Sequence, residues 1–274
     1  MNKSAELAYW INERYAMKLR KEDTTGFMGD WRHGWSDNPH MGLVRYCNVH
    51  REDDKVTKWL AQNWRPNHHA IWEIALARMI NYIPSLDELL TRTNVEGTAY
   101  MAKILKERRG RGDKVFTSAY TISTCGQSMD KIDYVMEVVY NVMFAQHGWV
   151  QKKTLAEAHY QLTQVDGLGN FLAAQVIADL KNTAGHPLQA APDWHTWSAP
   201  GPGSLKGLCE YFGSTVTPGN YQEAIKLCCE QIIPLVDPMV PPIHMQDFQN
   251  CLCEFSKFER VKKGGHVRNK YRPG

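Results

Sequence analysis

The chain has 274 residues, 43% of them hydrophobic and 22% charged, and a net charge of only +3 at neutral pH. That length buries a substantial core in one large domain or two small ones, and that charge excludes a polycation holding nucleic acid by bulk charge alone. Seven cysteines (Cys47, Cys125, Cys209, Cys228, Cys229, Cys251 and Cys253) form no CxxC pair. Reduced thiols are therefore expected, and no metal site or cofactor has support.

Helical periodicity dominates from the start. Residues 4–20 read as an amphipathic helix without an apolar signal core. No uncharged apolar run reaches the roughly 20 residues of a membrane span, so a cytoplasmic protein with no membrane partner is expected. Residues 54–64 and 69–82 read as the next two helices, the latter with Ile71, Ile74, Ala75, Met79 and Ile80 as its buried stripe. Ser85 and Glu88, like Thr154 and Glu157, have capping-box spacing. Further helices are predicted over 95–108 and 129–146, with a short strand or extended loop at 116–122 between them. A helical pair follows at 155–165 and 171–182, and helices at 221–232 and 245–258 close the chain. The sum is a mainly α fold: one domain over 1–274, in one lobe or two, with a hairpin at 155–182 and a C-terminal helix and basic tail over 243–274.

Four segments carry residues suited to chemistry. Arg45, Asn48 and Arg51 precede a helix; arginine forks suit phosphate and asparagine suits a base edge. A surface loop ending in a helix cap is the plainer reading. Gly167 and Gly169 flank Leu168, where the chain must turn sharply, and glycine tolerates the positive φ of such a turn. With Asn170, that turn opens a helix whose N-terminus suits a phosphate. Asp193 follows, either as a reactive carboxylate or as an ordinary cap. Gly201, Gly203, Ser204 and Lys206 then offer amides and a cation at the start of a helix, with Ser204 as its expected cap. Glu254 and Lys257 stand three apart on the last helix, as a pair of binding groups or a surface ion pair. Two basic runs, 106–114 and 257–272, add local positive charge suited to a DNA face, or are solvated flanks. Nine Trp and twelve Tyr are core packing or base-stacking surfaces, with Tyr46, Phe171, Trp194 and Trp197 as candidate wedges.

The hairpin followed by Asp193 resembles the helix-hairpin-helix DNA glycosylase superfamily. The order R-x-x-N-x-x-R-x-x-D-x-x-T, G-L-G, D-W, G-P-G-S-x-K-G-L and L-C-E-F-x-K-F-E-R, over residues 45–260, resembles one branch more closely. That branch is the helical domain of 5-hydroxymethyluracil DNA kinases and phage amino-acid:DNA transferases, also called α-glutamyl/putrescinyl-thymine pyrophosphorylases. The chain has no G-x-x-x-x-G-K-[ST] loop, so a kinase reading lacks its phosphate motif and the stand-alone transferase is favoured.

The resemblance implies a substrate, 5-phosphomethyl-deoxyuridine in DNA, made by an upstream 5-hydroxymethyluracil DNA kinase. An amino acid such as glycine, or a polyamine, replaces its phosphate in the cytoplasm of an infected bacterium. Asp193 and Lys206 would then be catalytic. Arg45, Asn48, Arg51, Gly201, Gly203 and Ser204 would bind phosphate and base, and Gly167, Gly169 and Asn170 the DNA backbone. Glu254 and Lys257 would hold the amine substrate. The alternatives are a glycosylase that excises a modified pyrimidine, separable by its abasic product, and a non-catalytic DNA-binding scaffold, in which Asp193→Asn changes nothing.

Overall fold

The structure, a computed structural model, describes residues 2–29, 34–42, 44–63, 71–92, 97–117, 122–124, 126–145 and 153–266. Among them are twelve α-helices and no strand. The chain divides into two compact units, Met1–Asp54 with His195–Gly274, and Lys55–Trp194.

The first unit contains α1 (Lys3–Glu22), the single turn α2 (Pro39–Gly42), α10 (Pro202–Phe212), α11 (Tyr221–Ile232) and α12 (Met245–Lys262). Helix α1 starts on Asn2, whose side chain accepts the Ala5 N–H, and ends with Arg20 and Lys21 in its last turn, complementing its dipole. Its buried face of Leu7, Trp10, Ile11 and Met17 joins Tyr221, Ile225 and Ile232 of α11 and Phe248, Leu252 and Phe255 of α12 in one core. Each such side chain contributes about 1.5–3 kcal/mol by leaving water.

Helix α10 lies flat on α12 because two glycines let it. A Cβ at Gly203 would stand 2.2 Å from the Cys253 sulfur, and one at Gly207 2.3 Å from the Leu252 carbonyl oxygen. Neither approach is possible for a larger residue, so these glycines serve close packing. Ser204 is not the cap expected. It is the third residue of α10, fully buried, and its hydroxyl donates to the Gly201 carbonyl while accepting the Gly201 N–H at 3.2 Å.

The second unit contains α3 (Lys55–Asn63), α4 (Ile71–Ile80), α5 (Ile83–Arg92), α6 (Thr98–Gly110), α7 (Lys131–Ala145), α8 (Leu155–Thr163) and α9 (Asn170–Leu180). Helix α4 is buried nearly all round and packs on α7 and α9. Such a helix must satisfy any polar side chain internally. Arg78 is fully buried, pairs with Asp179 of α9, and donates to Thr57 of α3 at 2.6 Å, while the Thr57 hydroxyl donates to Asp179 at 2.8 Å. Three helices are thereby joined by one buried polar triad.

Ser85 is likewise no cap: it lies inside α5 and donates to the Val115 carbonyl at 2.8 Å. Thr154 does cap α8, accepting the Glu157 N–H at 3.1 Å. Within the expected strand segment, 118–121 lie outside the described residues, and 116–117 with 122 are irregular.

Candidate functional site

In the first unit, residues 44–48 run extended, 49–50 bend, and Arg51–Asp53 form a single 3-10 turn. Val44, Tyr46, Val49 and His50 are buried, while Arg45 and Cys47 are exposed and Asn48 and Arg51 are half-buried. An irregular segment must find partners for its backbone outside a regular ladder. Here side chains supply them. Arg14 of α1 donates to the Cys47 carbonyl at 2.9 Å, the Tyr46 carbonyl at 3.3 Å and the Asn48 side-chain oxygen. Asn250 of α12 donates to the Asn48 carbonyl at 3.0 Å, and Glu254 accepts the Cys47 N–H at 3.2 Å. Lys257 donates to the Arg45 carbonyl and to Glu254, with its ammonium 4.8 Å from the Tyr46 ring centre. Asp247 accepts the Arg51 N–H at 2.9 Å, and Lys18 holds Asp53 at 2.7 Å.

This frame assigns parts that the sequence left open. Both ends of the Asn48 amide bond the protein itself, to Arg14 and to the Asp53 carbonyl at 2.8 Å. Glu254 and Lys257 bond the segment's backbone and each other. Burial lowers the Arg14 pKa, against opposing pulls from Cys47 and Glu254. The Glu254 carboxylate pushes the Cys47 thiol well above its ordinary value, so this exposed cysteine is no thiolate nucleophile at neutral pH. Tyr46 is buried with its hydroxyl on the His40 carbonyl at 2.8 Å, which excludes it as a wedge. Arg14, the centre of the frame, has no signal in the sequence: it is one basic residue in an amphipathic helix. Lys206 is exposed on α10, and the N-cap position of that helix is Gly201, whose N–H is held by Ser204.

In the second unit, α8, a tight turn and α9 stand where the hairpin is expected. The two glycines of the turn differ. Gly167 has φ +88°, and a Cβ there would lie 2.2 Å from a Val138 methyl, so both conformation and space require glycine. Gly169 is extended at φ −71° and directly precedes α9, with nothing within 4 Å of an added Cβ. Asn170 and Phe171 begin α9 exposed. The ring of His159 on α8 bonds the Asn170 carbonyl at 3.2 Å and ties the two helices together.

Asp193 sits at the opposite end of α8. It accepts the Leu155 N–H at 2.8 Å and the Ala156 N–H at 3.0 Å. With Thr154, it occupies three of the four N–H groups that a helix start leaves open. The neighbouring Trp194 is locked to the end of α9. Its indole donates to the Lys181 carbonyl at 2.9 Å, and the Lys181 ammonium lies 4.0 Å from its ring centre while donating to its carbonyl. Asp193 is thus held from both sides in chain order. A carboxylate has about four acceptor positions, so two N–H bonds leave capacity for a third donor.

The basic runs are mostly partnered. Glu88 takes Arg92, Arg108 and Arg111, Asp130 takes Arg109, and Asp133 takes Lys106. Burial would raise the Glu88 pKa, but these three arginines outweigh it and bring the group down to about 2. In the second run, Lys262 pairs with Glu6 and Glu259, and Lys263 with Glu210; residues 267–272 lie outside the described residues. The charge that looked available for DNA in 106–114 is therefore largely used to hold α5, α6 and the start of α7 together. No described helix is long and apolar enough to cross a membrane.

The residues of the expected site are thus shared between the units. Arg45, Asn48, Arg51, Gly201, Gly203, Ser204, Lys206, Glu254 and Lys257 lie on the first, and Gly167, Gly169, Asn170 and Asp193 on the second. No curated protein and no solved structure matches the chain. A family described as "5-hmdU DNA kinase, helical domain" matches residues 2–267, which covers every segment just described. The chain belongs to that helical-domain family, and with it to the DNA-modification machinery of phage thymidine hypermodification.

Proposed function

We propose that the chain is an amine:DNA transferase acting on 5-phosphomethyl-deoxyuridine in DNA. The observation that carries this reading is the bonded frame around residues 45–51. Three segments distant in sequence (R-x-x-N-x-x-R, the helix start G-P-G-S and L-C-E-F-x-K) meet in one unit, without the G-x-x-x-x-G-K-[ST] loop of a kinase. The frame leaves the Arg45 side chain exposed on a rigid backbone. An arginine displayed from a held backbone suits a phosphate, which its fork can bond at two oxygens.

In the reaction the exocyclic carbon–oxygen bond breaks and a carbon–nitrogen bond forms. Phosphate leaves with the bonding pair, and the attacking amine gives up a proton. Arg45, Arg51 and Lys206, with the amides at Gly203 and Ser204, counter the charge growing on the leaving phosphate, while the Gly201 N–H is held by the Ser204 hydroxyl. Asp193 receives the proton of the attacking amine, directly or through water. Gly169 and Asn170, at the open start of α9, hold the DNA backbone, with Gly167 shaping the turn. The target base leaves the stack, at a cost of a few kcal/mol. Asn48, Glu254 and Lys257 act by holding the Arg45 segment, and the amine substrate is an amino acid or a polyamine. The upstream partner is the kinase that phosphorylates 5-hydroxymethyluracil in DNA.

The test is a mass analysis of nucleosides after the chain meets phosphomethyluracil-containing duplex and a mixture of glycine, serine and putrescine. A nucleoside carrying the amine in place of the phosphate, with free phosphate released, supports transfer. Abasic sites would replace this reading with a glycosylase, and unchanged DNA that still binds the chain would replace it with a scaffold.

A further inference from the structure

His195 and His244 are far apart in sequence, yet their Nδ1 atoms lie 2.9 Å apart, with the rings steeply inclined. Both residues are held by their backbones. The His195 carbonyl accepts the Met245 N–H at 3.0 Å, and the His244 N–H is donated to Asp247 at 3.3 Å. The backbones that carry the two rings are therefore both anchored within the first unit. His195 is exposed, so solvent reaches it.

We propose that this pair is a two-imidazole site for a divalent transition-metal ion, copper(II) before nickel(II). The geometry carries the choice. An ion about 2.05 Å from each nitrogen would subtend ~90° at the 2.9 Å separation. That is the angle between neighbouring ligands in tetragonal copper and nickel sites. A tetrahedral zinc site would need its nitrogens about 3.3 Å apart. Among the described residues the two imidazoles are the protein ligands of this site. A ligating Nδ1 carries its ring proton on Nε2, so each ring binds the ion as that tautomer. The ion would tie the chain at His195 to the first turn of α12.

Calorimetric titration of the full chain with copper(II) chloride, in a non-coordinating buffer and without an affinity tag, tests this. One ion should bind per chain. Its paramagnetic resonance spectrum should show coupling to imidazole nitrogen. His195→Ala and His244→Ala should each weaken binding by about tenfold or more, while His266→Ala, at an exposed position outside the pair, should not. Copper affinity in both pair variants equal to that of the unaltered chain would overturn the proposal. So would an unaltered chain whose bound copper shows no nitrogen coupling, a readout independent of whether the variants fold. Neither result bears on amine transfer, which invokes no metal.

Discussion

Each unit has a polar centre, and the two are built on different terms. In the second unit, Arg78, Asp179 and Thr57 bond one another inside the core, where Arg78 is 0% and Asp179 2% exposed. In the first, Arg14, Asn250, Glu254 and Lys257 bond the backbone of an irregular segment at the surface. Side chains that bond one another across helices fix the packing of those helices. Side chains that bond a backbone fix the shape of a loop and so what it displays. The contrast explains why the second unit's triad reads as stability, and why the first unit's frame reads as preorganisation.

The largest expected effect lies in the buried triad. Asp179→Ala strands a fully buried guanidinium and should cost about 3–5 kcal/mol in urea unfolding. Replacing Arg78, Asp179 and Thr57 together by apolar residues should restore much of it, since no charge is then left unpaired. If Asp179→Ala proves neutral, the comparison loses its stability arm.

Next is Gly203→Ala, which places a methyl 2.2 Å from the Cys253 sulfur and should cost about 1–3 kcal/mol by overpacking. Cys253→Ala should relieve part of that in the double variant, measured as a thermodynamic cycle. An additive pair of costs would show that α10 does not rest on α12 as described.

The Glu88 cluster gives a smaller effect with a pH signature. The carboxyl titrates at about 2 when folded, against 4.5 ordinarily, so its contribution is present above 4.5 and fades as pH falls toward 2. Glu88→Gln should cost about 1–2 kcal/mol near neutrality, the sum of a few partly exposed pairs, and progressively less in acid. A cost independent of pH between 6 and 3 would argue against the three-arginine arrangement.

The smallest effect on stability should come from the frame. Arg14→Met and Glu254→Gln should each cost about 1 kcal/mol, as a few backbone hydrogen bonds are lost to water. Their effect on amine transfer should be disproportionate, about tenfold or more in kcat/KM, because the Arg45 segment loses its fixed position. Arg45→Ala should match that loss with no stability cost. Loss of stability without loss of transfer would make the frame a mere packing device.

Much of the fold was legible in the amino-acid order. The residue 221–232 helix was found to the residue, and most others to within a few, because a 3.6-residue apolar period and Thr154-type caps are local signals. Ser85 has the spacing of a cap, but its hydroxyl meets the Val115 carbonyl, which only the folded chain brings near. Ser204 bonds Gly201 locally; the helix simply starts earlier, at Pro202, with Gly201 at the cap position. For the site, the sequence identified the segments but left open what their side chains do. Glu254 and Lys257 were visible as a pair, whereas their bonds to residues 45 and 47 depend on α12 lying along a segment some two hundred positions earlier.

Sequence alone determined the mainly helical character, the turn at Gly167 and the family. These rest on interactions within a few residues, or on an ordered set of motifs. Tertiary structure alone decided that Arg14 anchors the 44–51 segment, that the 106–114 charges are spent on Glu88, Asp130 and Asp133, and that His195 meets His244. Those are pairings across long stretches of chain, and an isolated charge or ring carries no mark of the partner that burial and packing will bring to it.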